Sequence, residues 1–213
     1  MMRTSQLPAT VLRRGMLAGA VTATLVLSAC GGDHSTGTGM NHGAATAASP
    51  AASAVGTFND ADVTFAQAMI PHHQQAVQMA DMADGRAADT EVKELSSKIK
   101  AAQQPEIDTM TGWLTAWGKP APAPHMSTGS GMDHGSMPGM MTDADMTKLM
   151  DAKAAAFDKH FLTMMISHHE GAIQMAQQEV AQGSNPEAKA LAQKIITDQQ
   201  AEIATMKTIL ERL

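Results

Sequence analysis

Two adjacent histidine pairs, His72-His73 and His168-His169, carry the chemistry of this chain, and each stands among methionines. The first lies in Phe65-x3-Met69-Ile70-Pro71-His72-His73-x2-Ala76-Val77-Gln78-Met79-Ala80. The second lies in Phe161-x3-Met165-Ile166-Ser167-His168-His169-x2-Ala172-Ile173-Gln174-Met175-Ala176. Imidazole nitrogen and thioether sulfur, with no cysteine among them, form a soft donor set. Such a set suits Cu(I), and the similar Ag(I), better than cations that seek hard oxygen ligands. Outside the cytoplasm it cannot be lost to disulfide formation, although methionine can still oxidise to the sulfoxide.

The two settings are one sequence used twice at an offset of 96 residues. Glu91, Lys93, Leu95, Lys98, Ile99, Gln103, Gln104, Glu106, Ile107, Met110 and Leu114 return as Glu187, Lys189, Leu191, Lys194, Ile195, Gln199, Gln200, Glu202, Ile203, Met206 and Leu210. Between 65–114 and 161–210, 21 of 50 positions are identical without a gap, so one supersecondary unit recurs and the fold should be pseudo-symmetric.

Good helix formers dominate each repeat, and two helices per repeat follow from the pattern. The first should run from Asn59 or Asp60 to about Asp84, stopped by Gly85. Its counterpart should start near Thr142, where Thr-Asp-Ala-Asp mimics a capping box, and end near Gly183. The second helices should begin at Asp89 or Thr90 and at Ser184 or Asn185, the later one with Pro186 in its first turn. Two such hairpins, neither able to bury its face alone, predict an all-α four-helix bundle. Pro71 should bend the first helix just before the histidines, and Ser167 replaces it in the second copy.

At 100° per residue, Phe65, Met69, His73, Ala76, Ala80 and Ala83 share one face, with His72 and Met79 on its shoulder. Phe161, Met165, His169, Ala172 and Ala176 repeat that face, with His168 and Met175 beside it. A methionine stripe alone is explained by packing, because Met fills irregular gaps. Four buried imidazoles without partners are costly, and metal binding supplies the partners that packing does not. Leu95, Ile99, Gln103, Glu106, Met110 and Leu114 form the inner stripe of the second helix, as do Leu191, Ile195, Gln199, Glu202, Met206 and Leu210. The Gln and Glu in that stripe can accept imidazole N–H groups, as acceptors behind a metal-bound His do. Alternatively Glu106 and Glu202 lie at the stripe's edge and reach solvent.

The remaining segments divide the chain. Residues 1–29 read as a signal peptide: Arg13-Arg14, then an apolar stretch Met16–Leu27 too short to span a membrane, then Leu27-Ser28-Ala29-Cys30. That end resembles the bacterial lipobox, cut before a cysteine that receives lipid. Cys30 is the single cysteine, so no intramolecular disulfide can form. Residues 30–58 read as a flexible Gly/Ser/Thr/Ala tether containing His34, Met40 and His42. The bundle is assigned to 59–213: repeat one at 59–117, a linker at 118–141 and repeat two at 142–213. The linker holds His125, Met126, Met132, His134, Met137, Met140 and Met141, read as secondary metal ligands because a Gly/Ser segment has no core for them to fill. Loss of 1–29 leaves 12 basic and 21 acidic side chains, a net charge of −9. That charge opposes nucleic-acid binding and a basic membrane patch, leaving the lipid as membrane anchor.

The Met-Ile-x-His-His-x2-Ala-φ-x-Met-Ala signature (φ aliphatic), with Gln-Gln-x-Glu-Ile-x-x-Met after it, resembles the bacterial family called domain of unknown function 305. The resemblance spans about 59–213. It implies a ferritin-like four-helix bundle, and some exported members of that family bind copper or silver and assist metal tolerance. Carried over by position, it implies Met69, His72, His73, Met79, Met165, His168, His169 and Met175 as ligands, with Met110 and Met206 as additions. The expected protein is a lipid-anchored extracytoplasmic carrier or sink for Cu(I), without catalysis. A delivering or copper-oxidising partner protein stays open. Two alternatives stand beside it: a ferritin-like di-metal oxidase, whose Glu-x-x-His motif occurs nowhere in the chain, and a structural or partner-binding bundle. Hydrolase and nucleotide chemistry have no motif here.

The anchor is tested by Cys30→Ser. That substitution should block lipid attachment and shift the protein out of the membrane fraction; unchanged mass and partition would remove the lipoprotein reading.

Overall fold

The computed structural model describes residues 56–122 and 137–213. The signal peptide, Cys30, His34, Met40, His42, His125, Met126, Met132 and His134 lie outside them. Among the described residues the chain is all-helical: α1 Asp60–Asp81, α2 Ala83–Arg86, α3 Thr90–Ala116, α4 Asp143–Asp151, α5 Ala154–Gln182 and α6 Pro186–Arg212. None of these helices is long and apolar enough to cross a membrane. Four are long. α1 packs on α3, α5 packs on α6, and α1 meets α5 between the repeats while α3 touches α6 more lightly. The two histidine helices therefore face each other.

Local chemistry accounts for the helix starts. Asn59 caps α1 in a capping box with Asp62, and Thr142 does the same for α4 with Asp145. Asp89 caps α3, and Asn185 caps α6 ahead of Pro186. The first-helix pattern breaks twice where continuity was expected. α1 stops at Asp81, and Gly85 lies inside the short α2 instead of ending α1. The helix expected from Thr142 is interrupted at 152–153, where α4 gives way to α5 and Ala154 adopts φ +53°. A left-handed alanine costs about 1 kcal/mol or more. It is set against the complete burial of Leu149 and the bond from Arg86 Nε to the Met150 carbonyl, which ties α2 to α4. α1 continues through Pro71, and α3 through Pro105.

A reciprocal pair of carboxylates fastens the repeats together. Asp62, fully buried on α1, accepts from the backbone N–H groups of Ser184 (3.1 Å) and Asn185 (2.9 Å) where α6 begins. Asp158, buried on α5, accepts from those of Ala88 (3.2 Å) and Asp89 (3.0 Å) where α3 begins. All four donors and both acceptors obey the 96-residue offset. Each repeat thus satisfies the backbone N–H groups of the two residues that lead into the other's second helix, while Asp89 and Asn185 serve the first turn itself.

The two clasps differ in one neighbour. Glu179, buried on α5, places its carboxyl against Asp62 with no N–H donor of its own; at the other clasp the equivalent position is Ala83. Burial, then the hydrogen bond to Asp62 and its charge, push Glu179 up to about 8, against a small opposing pull from Lys189. Burial works to raise Asp62 too, but the N–H groups of Asn59 and Asn185 and the Glu179 hydroxyl outweigh it and keep it ionised. Glu179 therefore holds a proton that it donates to Asp62.

An acid whose pKa is raised on folding binds more protons folded than unfolded. Its contribution is complete below the ordinary value near 4.5 and is lost as pH climbs towards about 8. Glu179→Gln keeps a donor to Asp62 at every pH. Thermal melts should show the parent losing stability between pH 5 and 8.5, and the variant losing a few kcal/mol less over that range. Parallel pH profiles for the two proteins would refute the shared proton.

Candidate metal centre

Of the expected ligands, His72 on α1 and His168 on α5 meet across the contact between these two helices. His72, His73, His168 and His169 are all fully buried, and so are Met69, Met79, Met110, Met165 and Met206; Met175 is 8% exposed. The rings of His72 and His168 lie 3.7 Å apart, centroid to centroid, tilted by 40°. The pseudo-twofold axis runs between them. The methionines belong to the same apolar core as Phe65 and Phe161, so they satisfy a packing role whatever else they do.

The two outer histidines are oriented by carboxylates. His73 Nε2 donates to Glu106 Oε2 at 2.9 Å, and His169 Nε2 donates to Glu202 Oε2 at 2.7 Å. Both glutamates partner an imidazole, Glu106 from a buried position and Glu202 from a half-buried one that still reaches solvent. Burial works to raise Glu106, but the hydrogen bond and charge of His73 outweigh it, joined by Lys194, whose Nζ lies 3.0 Å from Oε1. With Nε2 given to a carboxylate, Nδ1 is the nitrogen left facing the interior. The glutamines do not share this role: both amide atoms of Gln103, and Gln199 Oε1, are buried without a partner.

The inner pair is different. His72 Nε2 donates to the Pro138 carbonyl at 3.1 Å, while neither ring nitrogen of His168 has a partner of good geometry. Burial, then the neighbouring imidazole of His73, pushes His72 down to about 3, against a small opposing effect of the Pro138 carbonyl. Burial, then His72, holds His168 well below the usual histidine range. Both are neutral at physiological pH, the form that can ligate a metal.

The Nδ1 atoms of all four histidines are therefore buried and unpartnered. Leaving a buried polar atom unmatched costs about 1–3 kcal/mol each, so four in one place call for an explanation beyond packing. Among the described residues, no three His, Cys, Asp or Glu side chains group closely enough to enclose a metal by themselves. Any site here must add thioether sulfur to imidazole, and the flanking Met residues stand one helical turn away: Met69 precedes His73 by four positions, as Met165 precedes His169.

Of the linker residues, Met137, Met140 and Met141 are described, each half-buried, with Met140 and Met141 inside the segment that covers the histidines and Met137 just before it. Sequence reasoning missed three participants. Pro138 gave no signal as an acceptor. Gln75 binds the Met141 backbone in both directions, at 2.8 and 2.9 Å, and Gly171 holds the equivalent position in repeat two. That mismatch at the 96-residue offset was the visible clue to both.

A family model described as "Domain of unknown function (DUF305)" matches residues 62–210. A DUF305 protein from Streptomyces coelicolor, inferred to be secreted, is 34% identical with TM-score 0.64, covering 71% of this chain and 93% of its own. A DUF305 fragment from Deinococcus radiodurans is 31% identical with TM-score 0.64, covering 73% and 98%. CopM in its Cu(II)-bound form is 36% identical with TM-score 0.61, covering 71% and 96%; it is also solved in Cu(I)-bound and Ag-bound forms. No curated protein matches the chain. With a family model spanning most of its length and relatives of the same fold above 30% identity, this chain belongs to the DUF305 family.

Proposed function

We propose that this protein is an exported, lipid-anchored carrier or sink for soft metal, Cu(I) first and Ag(I) as its analogue, without catalysis. The observation that carries the reading is the set of four buried imidazoles whose Nδ1 atoms have no partner. Support comes from CopM, solved with Cu(I), Cu(II) and Ag at 33–36% identity to this chain. Met69, His72, His73, Met79, Met110 and their repeat-two equivalents Met165, His168, His169, Met175 and Met206 form the donor set. Glu106 and Glu202 hold two of the imidazoles in the orientation that leaves Nδ1 for the ion. Export is supported by the Streptomyces relative and by the leader sequence, and the anchor by Cys30. The linker residues His125, Met126, Met132, His134, Met137, Met140 and Met141 are weaker secondary sites.

Preorganised helical donors should bind more tightly than linker donors, which lose more conformational entropy on ordering. Replacing His72, His73, His168 and His169 together by Gln should abolish the tightest Cu(I) sites and leave weaker binding behind. Stability should shift by about 1–3 kcal/mol with the helical content intact. Replacing His125, Met126, Met132 and His134 by Ala should do the reverse, lowering the copper count while sparing the tightest affinity. Competition titration against a Cu(I) chelator separates the cases. A four-histidine variant that kept the parent's tightest affinity would end the proposal for the helical site.

A further inference from the structure

The segment Pro138–Met141 lies across the contact between α1 and α5, directly over His72 and His168. Three features hold it. Its Pro138 carbonyl accepts from His72 Nε2 at 3.1 Å. Gln75, nearly one turn beyond His72, clamps Met141: Nε2 donates to the Met141 carbonyl at 2.9 Å, and Oε1 accepts from the Met141 N–H at 2.8 Å. On α5 the backbones touch. A Cβ on Gly171 would stand 2.0 Å from the Pro138 oxygen and 2.7 Å from Gly139 Cα. Gly139 itself has φ +76°, and a Cβ there would meet the Ser167 and His168 carbonyls at 2.6 and 2.9 Å. A side chain on either glycine would force the segment off the helix.

The remaining surroundings of the two imidazoles are long helices joined through the core. Besides the packing of Met141 at the edge of the core, the strap is held by one imidazole bond, one side-chain clamp and a glycine contact, so it opens at a smaller cost in broken contacts than a long core helix does. It also ties up His72 Nε2. We propose that Pro138–Met141 is the gate of the His72–His168 site, and that Gln75 and Gly171 are the positioning residues that let it close. Metal reaches the inner imidazoles when the strap lifts and releases His72, and the half-buried Met137, Met140 and Met141 lie along the entry. This rests on the copper reading above for the identity of the ion, but the closure itself does not.

Two variants test it. Gly171→Ala favours α5 intrinsically yet cannot coexist with the seated strap. Gln75→Ala removes the clamp from a half-buried position without altering the glycine contact. Each is treated with diethyl pyrocarbonate in the absence of metal, and modification of His72 and His168 is followed by mass spectrometry against the exposed His160 of the same molecule. Both inner histidines should react faster than in the parent, by about tenfold or more in Gly171→Ala, the factor expected for losing one or two hydrogen bonds. Stopped-flow mixing with a Cu(I)–chelator complex should show faster uptake in the same order. Unchanged reactivity of His72 and His168 relative to His160 in both variants, with circular dichroism unchanged, would overturn the gate. Faster modification in a protein whose parent takes up no Cu(I) would uphold the strap as a cover and end the copper reading instead.

Discussion

Two buried aspartates fix everything that follows. A carboxylate placed in the interior is tolerable only when N–H donors surround it, and Asp62 and Asp158 each find theirs at the start of a helix in the opposite repeat. Each hairpin could pair its own two helices through apolar contact alone, but such contact is non-directional and permits sliding and rotation. Hydrogen bonds from consecutive backbone N–H groups to one carboxylate do not. They set the level at which α1 passes α5, and with it the meeting of His72 and His168 at 3.7 Å. The helix ends and the histidine centre are therefore parts of one constraint, although Asp62 and His72 lie ten positions apart on α1.

The repeat made most of this arrangement legible. Helical periodicity placed Phe65, Met69, His73, Ala76 and Ala80 on the buried face, together with their counterparts, because a strict 3–4 spacing has few solutions in a bundle. The cap residues Asn59, Asp89, Thr142 and Asn185 were readable for the same reason: each satisfies a local hydrogen-bonding demand. The breaks after Asp81 and Asp151 were not readable. Ala152, Lys153 and Ala154 are all acceptable helix residues, and their departure from helix is imposed by what α4 packs against. Gly85 misled in the opposite sense, since it is accommodated within one short turn of helix. On α6 the expected stripe is displaced: Leu191 and Leu210 are half-buried, and Ala188, Ala192, Ile196 and Ile209 go fully inward. A stripe read from one helix cannot include the rotation its neighbours select.

For the site, residue types were legible and relations across the sequence were not. The partnership of His73 with Glu106, and of His169 with Glu202, spans 33 positions in each repeat, and helical spacing alone left it undecided against solvent exposure. Gln103 and Gln199 have the same chemistry and the same face, yet they miss the imidazoles. One helical turn separates a carboxylate that orients a histidine from an amide that does not, and that distance is set by the register between helices. Asp62 and Asp158 themselves were identical at the 96-residue offset but stood just outside the matched segment, where Asp62 reads as an ordinary favourable dipole contact near a helix start and Asp158 as one polar residue within a longer helix.

The departures from symmetry follow from connectivity. Two hairpins can obey a twofold axis, but the single chain that joins them cannot, so it must cross one repeat differently from the other. The linker comes down over the histidines once, and the two positions it meets have diverged to receive it: Gln75 clamps its backbone, and Gly171 withdraws its side chain. Glu179 against Ala83 at the clasps, and Lys194 reaching Glu106 across the repeats, are further one-sided additions on a shared frame. The histidines, their flanking methionines and the glutamates behind them keep the symmetry, while the groups that cover or trim the centre break it. A duplicated hairpin thus supplies a matched set of imidazoles and thioethers in its interior, and the one-sided cover over His72 and His168 comes from the linker that joins the two copies.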